Sequence, residues 1–364
     1  MMSGTSCDSI DVGLCLVKPD FSCTLIDGWN YEYPKEIRQK IFDLFYNNPS
    51  VEDICKMNFV IGHCFANAAI EMIKHHGKPD FISSHGQTIY HYPKSTKISN
   101  ISEKSTLQIG DISVISQKTE CTTIGNFRTA DIAQGGNGAP LVCFADEKWF
   151  KPLKKNIAIQ NIGGISNVSV ISNNFASFGF DTGLGNIMID YCAKKFFDKP
   201  YDKNGELALQ GNICESWLNC LLADEYYFSE PPKTTGREYF SNLYIENALK
   251  SAPENKYDIM ATVTALTAKT IAQAYERFVY PNVLIEEVIL GGGGAYNPVL
   301  KNYLQKYLNN IPVKTHEDYG ISNNFKEVMA FALLGYCTYY KIPNNVPNCT
   351  GAEKPVVMGQ ISPY

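Results

Sequence analysis

The sequence lacks the signals of a membrane-spanning or exported chain. No run of about 18 apolar residues occurs, so no helix is predicted to cross a bilayer. The chain does not begin with a charged segment followed by an apolar one and a small-residue cleavage site, so no secretory leader is expected. These features predict a cytoplasmic protein without a membrane partner.

Cysteine is plentiful, but its spacing lacks the patterns of metal sites. The 12 cysteines are scattered singly from Cys7 to Cys349, and none forms a C-x-x-C pair. Structural zinc sites need closely spaced ligands, so none is expected. In a reducing compartment, such cysteines are mostly small hydrophobic core residues.

Long runs of one charge sign are also missing. The formal net charge is −5, with 19% charged residues, and no stripe of Lys and Arg argues for a nucleic-acid partner. Neither G-x-x-x-x-G-K-[ST] nor G-x-G-x-x-G occurs, which excludes the P-loop and Rossmann signatures. The 364 residues suffice for two domains that share a cleft.

The sequence does contain apolar strands alternating with helical periods, in two similar halves. This pattern predicts an α/β fold. Strands are predicted over 10–17, 23–33, 81–84, 157–161, 168–170 and 288–290, and helices over 35–47, 51–76, 258–280 and 324–340, with others beginning near 111 and 298.

One carboxylate occupies an informative position. Asp181 lies in the run F-D-T-G-L-G-N, after an apolar segment predicted to end a strand and before a helix predicted to open at Ile187. A strand-to-helix turn is where α/β folds place their chemistry, which makes Asp181 a candidate catalytic residue. The alternative is that Asp181 is only the N-cap of that helix.

Three glycine-bearing turns are candidates for binding phosphate. They cover residues 2–11, 161–167 and 291–297. Small residues let successive backbone N–H groups converge on an anion, and Asp8 or Asp11 could hold Mg²⁺ directly or through water. Each turn by itself is more often an ordinary turn, but three of them at strand ends favour a phosphate site.

Three polar segments are candidates for binding a second substrate. Residues 84–91 carry His85, residues 126–140 carry Arg128 and Asp131, and residues 231–238 form a basic, proline-containing turn that could rim a cleft. Arginine suits an anionic or oxygen-rich ligand. The alternatives are a structural or solvated histidine, an Arg–Asp pair that staples a loop, and a solvated turn.

Taken in order, these segments resemble the anhydro-N-acetylmuramic acid kinase family. The likeness covers 2–11, 84–91, 107–110, 127–141, 161–167, 180–190, 231–238, 291–297, 326–334 and 350–352. It implies an α/β, two-domain actin-like/hexokinase-type (ribonuclease H-like) fold with an ATP cleft between domains. We expect an N-terminal domain over 1–125, with 344–364 packing back on it, and a C-terminal domain over 126–343.

The resemblance also implies a reaction. The family uses ATP and Mg²⁺ to open 1,6-anhydro-N-acetylmuramic acid with water and to phosphorylate O6, which yields N-acetylmuramic acid 6-phosphate in peptidoglycan recycling. It further suggests a homodimer. Two alternatives remain open: a kinase for another 1,6-anhydrosugar such as levoglucosan, and a homologue that binds nucleotide or sugar without turnover.

Several residues match positions of the family's motifs. Asp181 matches the catalytic base. ATP-binding positions are Gly4, Thr5, Ser6, Cys7, Asp8, Ser9, Ile10, Asp11, Gly163, Gly164, Gly292, Gly293 and Asn297. Candidates on the sugar side are His85, Arg128, Asp131 and Glu327.

The sequence departs from the family pattern at four places, and the binding-only alternative depends on them. The family usually has a short apolar strand before its first turn, whereas this chain begins at Met1, so we expect either an upstream start or a sheet that lacks an edge. Ser9 replaces a glycine, Leu184 a proline and Asn126 an aspartate.

Overall fold

The computed structural model describes residues 1–4, 7–174, 177–237 and 239–364. The strands are β1 (Ser9–Val17), β2 (Cys23–Glu32), β3 (Ile82–Ser83), β4 (Gln87–Ile98), β5 (Ile101–Ile109), β6 (Thr123–Gly125), β7 (Ile157–Ile162), β8 (Ile165–Ile171), β9 (Phe178–Leu184), β10 (Glu287–Gly291), β11 (Val313–Thr315) and β12 (Gln360–Ser362). This confirms the predicted α/β class.

The α-helices account for most of the remaining ordered chain. They are α1 (Lys35–Tyr46), α2 (Val51–His76), α3 (Ile112–Thr119), α4 (Thr129–Ile132), α5 (Val142–Phe150), α6 (Ile187–Phe197), α7 (Glu215–Leu222), α8 (Asn242–Leu249), α9 (Lys256–Ala274), α10 (Pro298–Tyr307), α11 (Lys326–Tyr339) and α12 (Pro347–Thr350). The π-helix Tyr275–Val279 continues α9. Short 3₁₀ turns are Lys151–Leu153, Lys203–Gly205, Ala208–Gln210, Glu225–Phe228, Gly293–Tyr296 and His316–Tyr319.

The chain forms two compact units. Unit 1 comprises Met1–Trp149 and Asn324–Tyr364, and unit 2 comprises Phe150–Asn323. These borders differ from the domain limits expected from the sequence. The cause is a shared apolar core in which Phe127 and Phe144 cluster with Phe331 of α11, so that residues 126–149 and α11 belong with unit 1.

Unit 1 contains three small sheets. β1 pairs antiparallel with β2, β4 pairs with β5, and a three-stranded sheet has the order β12-β6-β3. Met2 pairs with Asp11 of β1 and Ser3 with Gln87 of β4, so the first residues lie between strands.

Helix α2 shows why the local sequence signals succeed in unit 1. Ser50 and Asp53 form a capping box that satisfies backbone groups at its start. Its apolar residues recur at helical spacing, and Ile61 and Phe65 are completely buried. The predicted range, 51–76, is confirmed.

Unit 2 is built on one five-stranded sheet of order β11-β10-β7-β8-β9. β7, β8 and β9 are antiparallel neighbours, whereas β10 runs parallel to both β7 and β11. Helix α9 packs beside this sheet and is buried along most of its length. Because parallel strands end at the same edge, the loops after β7 and β10 lie side by side.

The predicted strand-to-helix turn at Asp181 is wrong in one respect. β9 extends through Leu184, because Asn167 of β8 pairs with Asp181 and Ser166 pairs with Gly183. Helix α6 does begin at Ile187, but its N-cap residue is Asn186. Asp181 is thus a strand residue, and the N-cap alternative is excluded.

The hairpin of β4 and β5 was not predicted. Most of its residues are half-buried or exposed, so the sequence shows little of the apolar alternation that marks a strand.

Among the described residues, no helix combines the length and the apolar character needed to cross a membrane.

Candidate functional site

Asp181 is held by backbone and side-chain groups on several sides. Its Oδ2 accepts a hydrogen bond from the Thr235 amide over 2.8 Å, and its own amide donates to the Lys233 carbonyl over 3.1 Å. The Tyr226 hydroxyl donates to the Asp181 carbonyl over 2.9 Å. The carboxylate of Asp181 is therefore half-buried and held in a fixed orientation.

The glycine turn between β7 and β8 lies against the turn after β9. The amides of Gly185 and Ile187 donate to the Gly164 carbonyl over 2.9 and 3.2 Å, and the Asn186 amide donates to Gly163 over 2.7 Å. A Cβ on Gly185 would lie 2.3 Å from the Gly163 carbonyl oxygen, so this close approach requires glycine. Two of the predicted motifs are therefore neighbours.

The turn after β10 joins the same edge. The Asn186 side chain donates to the Ile162 carbonyl over 3.1 Å, and a Cβ on Gly293 would lie 3.7 Å from its Nδ2. Gly292 has a φ of 74° and exchanges two 3.0 Å hydrogen bonds with the Asn323 side chain. The loops after β7, β9 and β10 thus converge at one edge of the unit 2 sheet, as a phosphate-binding site requires.

Asn297 has a local structural role. Its Oδ1 accepts hydrogen bonds from the amides of Val299 and Leu300 over 3.1 and 3.2 Å, which caps α10. The residue is buried, and its contribution to nucleotide binding stays a prediction.

The first glycine turn belongs to unit 1. The predicted residues Thr5 and Ser6 lie outside the described residues. Cys7 is completely buried with a φ of 52°, and burial raises the pKa of its thiol to about 11. The thiol is therefore neutral near pH 7 and acts as a packing residue.

The two carboxylates proposed for magnesium differ in their surroundings. Asp8 forms an exposed salt bridge with Arg38. Oδ1 of Asp11 accepts from the Ser9 hydroxyl over 3.0 Å and from the side-chain nitrogen of Asn30 over 2.6 Å. Mg²⁺ bound with a nucleotide typically takes only one or two protein carboxylates, so the metal role of Asp8 and Asp11 stays a prediction. Across the described ranges, no cluster of three or more His, Cys, Asp or Glu side chains forms a metal site.

Arg128 is bound to His85 and not to Asp131, contrary to the loop-staple alternative. Its Nε and one terminal nitrogen lie 3.2 and 2.9 Å from His85 Nε2, and the other terminal nitrogen donates to the Gly138 carbonyl over 2.7 Å. Because arginine only donates, His85 Nε2 must accept, and Nδ1 carries the proton toward the Gly86 carbonyl. Burial, and then Arg128, lower the pKa of His85 to about 3.

Asp131 is completely buried. Its Oδ2 accepts from the Gly138 amide over 2.9 Å, and its Oδ1 accepts from Asn345 over 2.9 Å and from the Thr350 hydroxyl over 2.7 Å. The residue therefore ties loop 131–138 to the C-terminal segment. This packing leaves no exposed carboxylate surface for the substrate contact that we predicted.

Glu327 lies in the first turn of α11 and shares an electrostatic environment with two other predicted residues. Burial raises the pKa of its carboxyl group, Asp11 raises it further, and Lys326 and Arg128 lower it. Asp11 and Arg128 therefore each influence the charge of Glu327, and Arg128 contacts His85. We call Arg128, His85 and Glu327 the Arg128 cluster. A cavity of about 320 Å³ opens beside His85, lined also by Asn58 and Asn126.

The residues around Asp181 include two that the sequence did not identify. Lys233 and Tyr226 were not assigned to the base, although 231–238 was a candidate segment and resembles a family motif. The motif at 231–238 marked this segment as a candidate, but nothing in the sequence linked it to Asp181. The two are distant along the chain, so only the fold reveals the contact.

The family model described as "Anhydro-N-acetylmuramic acid kinase" matches residues 1–364. A relative of that name from Caldanaerobacter subterraneus subsp. tengcongensis is 43% identical over 378 residues, covering 100% of this chain and 96% of its own. One from Bacillus cereus is 42% identical, covering 100% and 98%, and one from Clostridioides difficile is 40% identical, covering 100% and 97%.

Solved structures resemble the chain only loosely. A putative N-acetylmannosamine kinase from Listeria monocytogenes is 12% identical, with coverage of 92% of this chain and 97% of its own and a TM-score of 0.38. A ROK family protein from Streptococcus pneumoniae in complex with sucrose is 12% identical, with coverage of 89% and 93% and a TM-score of 0.34. From the full-length sequence match, the chain belongs to the anhydro-N-acetylmuramic acid kinase family.

Proposed function

We propose that this protein is an ATP-dependent kinase that opens 1,6-anhydro-N-acetylmuramic acid with water and phosphorylates O6. The observation that carries the proposal is the fixed carboxylate of Asp181, on a strand whose following turn packs against the glycine turn at 163–164. This arrangement supports a base beside a phosphate-binding edge. Family membership supports the choice of substrate.

Asp181 would accept a proton from water, which is a poor nucleophile until a positioned base removes that proton. Such general-base catalysis is typically worth about 10²- to 10⁴-fold in rate. The water oxygen forms a bond to C1 while the bond between C1 and O6 breaks. O6 then forms a bond to the γ-phosphorus of ATP, the bond to the β,γ-bridging oxygen breaks, and ADP leaves.

The phosphates of ATP would lie at the edge formed by Gly163, Gly164, Gly292 and Gly293, where glycine lets a ligand approach the backbone closely. The turn from Gly4 to Asp11 would contribute on the unit 1 side, and Asp11 and Asp8 would hold Mg²⁺ directly or through water. When bound, Mg²⁺ supplies positive charge that offsets the charge on the phosphates.

The sugar would be bound by residues of the Arg128 cluster. Arg128 has a planar set of donors, and its attachment to a neutral His85 fixes the plane of the guanidinium group. Glu327, with its raised pKa, can hydrogen-bond the ring hydroxyls. His85 would therefore act through Arg128.

Three further statements belong to the same proposal. The product, N-acetylmuramic acid 6-phosphate, would enter peptidoglycan recycling, the enzyme would work in the cytoplasm, and it would be a homodimer. Light scattering of the purified protein tests the homodimer directly.

The decisive experiment measures ADP release from Mg-ATP with 1,6-anhydro-N-acetylmuramic acid, with levoglucosan and without sugar. We expect turnover only with the muramic sugar, and we expect it to be lost in Asp181→Asn. Turnover with levoglucosan would preserve the mechanism and change the substrate. ATP binding without turnover on either sugar would instead support a binding-only homologue.

A further inference from the structure

The segment 231–236 covers the open edge of the unit 2 sheet at Asp181. In the part of the chain that the structure describes, β9 is the last strand of that sheet, and one of its edges has no strand beside it. The segment takes part of that place: the Lys233 carbonyl accepts from the Asp181 amide, and the Thr235 amide donates to the Asp181 carboxylate. The position of the carboxylate therefore depends on where this segment lies.

The Lys233 side chain holds the segment through aromatic rings. Its ammonium nitrogen lies 4.7 Å from the ring centroids of Tyr226 and Phe278 and 5.9 Å from that of Phe180. It also donates to the Tyr226 carbonyl over 3.1 Å. Cation–π contacts of this kind are stabilising, more so as the cation loses water.

The rings that hold Lys233 are themselves tied to Asp181. Phe180 precedes Asp181 in β9, and the Tyr226 hydroxyl donates to the Asp181 carbonyl. One aromatic cage thus contacts the base on one side and the lysine on the other. Movement of the ammonium would be passed on to the carboxylate through groups that touch both.

The charges around Lys233 are arranged so that the lysine and Asp181 influence each other. Burial, and then Arg277, lower the pKa of Lys233 to about 8, while Asp181 raises it. The titratable groups that face the ammonium are Asp181 on β9, Tyr226 on the 3₁₀ turn and Arg277 on the π-helix. Arg277 donates to the Tyr227 carbonyl over 3.1 Å, which fixes its own position.

We propose that Lys233 is a positioning residue for the Asp181 carboxylate, held in an aromatic cage of Phe180, Tyr226 and Phe278. Its ammonium group keeps the segment 231–236 on β9, and its positive charge favours the ionised form of the base. The proposal rests on the proposed function of Asp181 in catalysis, but its effect on the carboxylate is measurable without turnover.

The test compares Lys233→Met, which fills the cage without charge, with Lys233→Arg, which keeps a cation. Lys250→Met is the matched control, because Lys250 is an exposed lysine of unit 2 whose ammonium group donates to the Asn247 side chain. We expect Lys233→Met to lower kcat about ten- to hundredfold, with KM for ATP changed far less. Lys233→Arg should recover most of kcat, and Lys250→Met should match the parent protein.

A second measurement follows the ¹³Cγ shift of Asp181 against pH in the unliganded protein. Loss of the neighbouring cation should raise the pKa of Asp181 in Lys233→Met and move the acidic limb of the kcat profile to higher pH. Unchanged titration in Lys233→Met would overturn the proposal, as would failure of Lys233→Arg to restore kcat. Full turnover by Asp181→Asn would instead refute the proposed base, and the titration would still decide the role of Lys233.

Discussion

The amide of Thr235 donates a 2.8 Å hydrogen bond to Oδ2 of Asp181. The two residues are distant in sequence and lie on different segments of unit 2. This bond holds one oxygen of the carboxylate in a defined place.

Replacing Thr235 by proline should reduce catalysis, because proline has no amide hydrogen to donate to Asp181. We expect Thr235→Pro to lower kcat about ten- to hundredfold in the ADP-release assay. Thr235→Ala keeps the amide and removes only the side chain, so it should retain most of kcat. Equal losses in the two variants would show that the side chain matters and the amide does not.

Gly164→Ala should separate ligand binding from stability. Gly164 is exposed, and among the described residues nothing lies within 4 Å of where its Cβ would be. The substitution should leave the unfolding midpoint nearly unchanged. If the ATP phosphates approach this turn, KM for ATP should rise about tenfold, which corresponds to about 1.4 kcal/mol.

Gly185→Ala is the contrasting variant at the same edge. Its Cβ would lie 2.3 Å from the Gly163 carbonyl oxygen, so we expect a lower unfolding midpoint without any ligand. An unchanged KM for ATP in a stable Gly164→Ala protein would show that the ATP phosphates do not approach the turn at 163–164.

His85 should make the protein less stable in acid. Its pKa is about 3 in the folded protein and 6.5 ordinarily, so between these values the unfolded chain binds more protons. Stability must therefore fall as pH drops from 6.5 toward 3, by at most about 3 kcal/mol near pH 4.

His85→Gln offers a check, since glutamine can accept from Arg128 and does not titrate. Urea unfolding between about pH 7 and pH 4 should show a shallower loss of stability in His85→Gln than in the parent protein. Parallel curves for the two proteins would mean that the pKa of His85 is the same in the folded and the unfolded protein.

Asp131→Ala should destabilise unit 1, because it leaves the Gly138 amide and the side chains of Asn345 and Thr350 without their buried acceptor. We expect a loss of about 2–4 kcal/mol in the free energy of unfolding. The control Glu71→Ala removes an exposed partner of Lys74 and should stay within about 0.5 kcal/mol. A stable Asp131→Ala protein with poor sugar affinity would instead support the predicted contact between Asp131 and the substrate.

Local sequence signals were sufficient where an element carries its own pattern. The capping box of Ser50 and Asp53 and the helical spacing through Phe65 predict α2 without reference to the rest of the chain. The strand β10 and the glycines after it are evident for the same reason. Motif order across the whole chain indicated the family, and the full-length match confirms it.

Local sequence signals were not sufficient where pairing with distant residues decides the structure. Asp181 is a strand residue because β8 continues beside it, which no local pattern records. Arg128 bonds His85 instead of Asp131 because α4 buries Asp131 against the C-terminal segment. Most residues of the β4–β5 hairpin are half-buried or exposed, so its sequence does not need the regular apolar alternation that predicts a strand.

The sequence by itself determined the α/β class, the family and which residues are candidates for the site, since these depend on residue type, spacing and order along the chain. The tertiary structure alone decided which groups hold those residues: Thr235 and Lys233 beside Asp181, and a neutral His85 beside Arg128. The physical reason is that hydrogen bonds and desolvation act through space. Their partners come from segments far apart in sequence, and only folding brings them within reach.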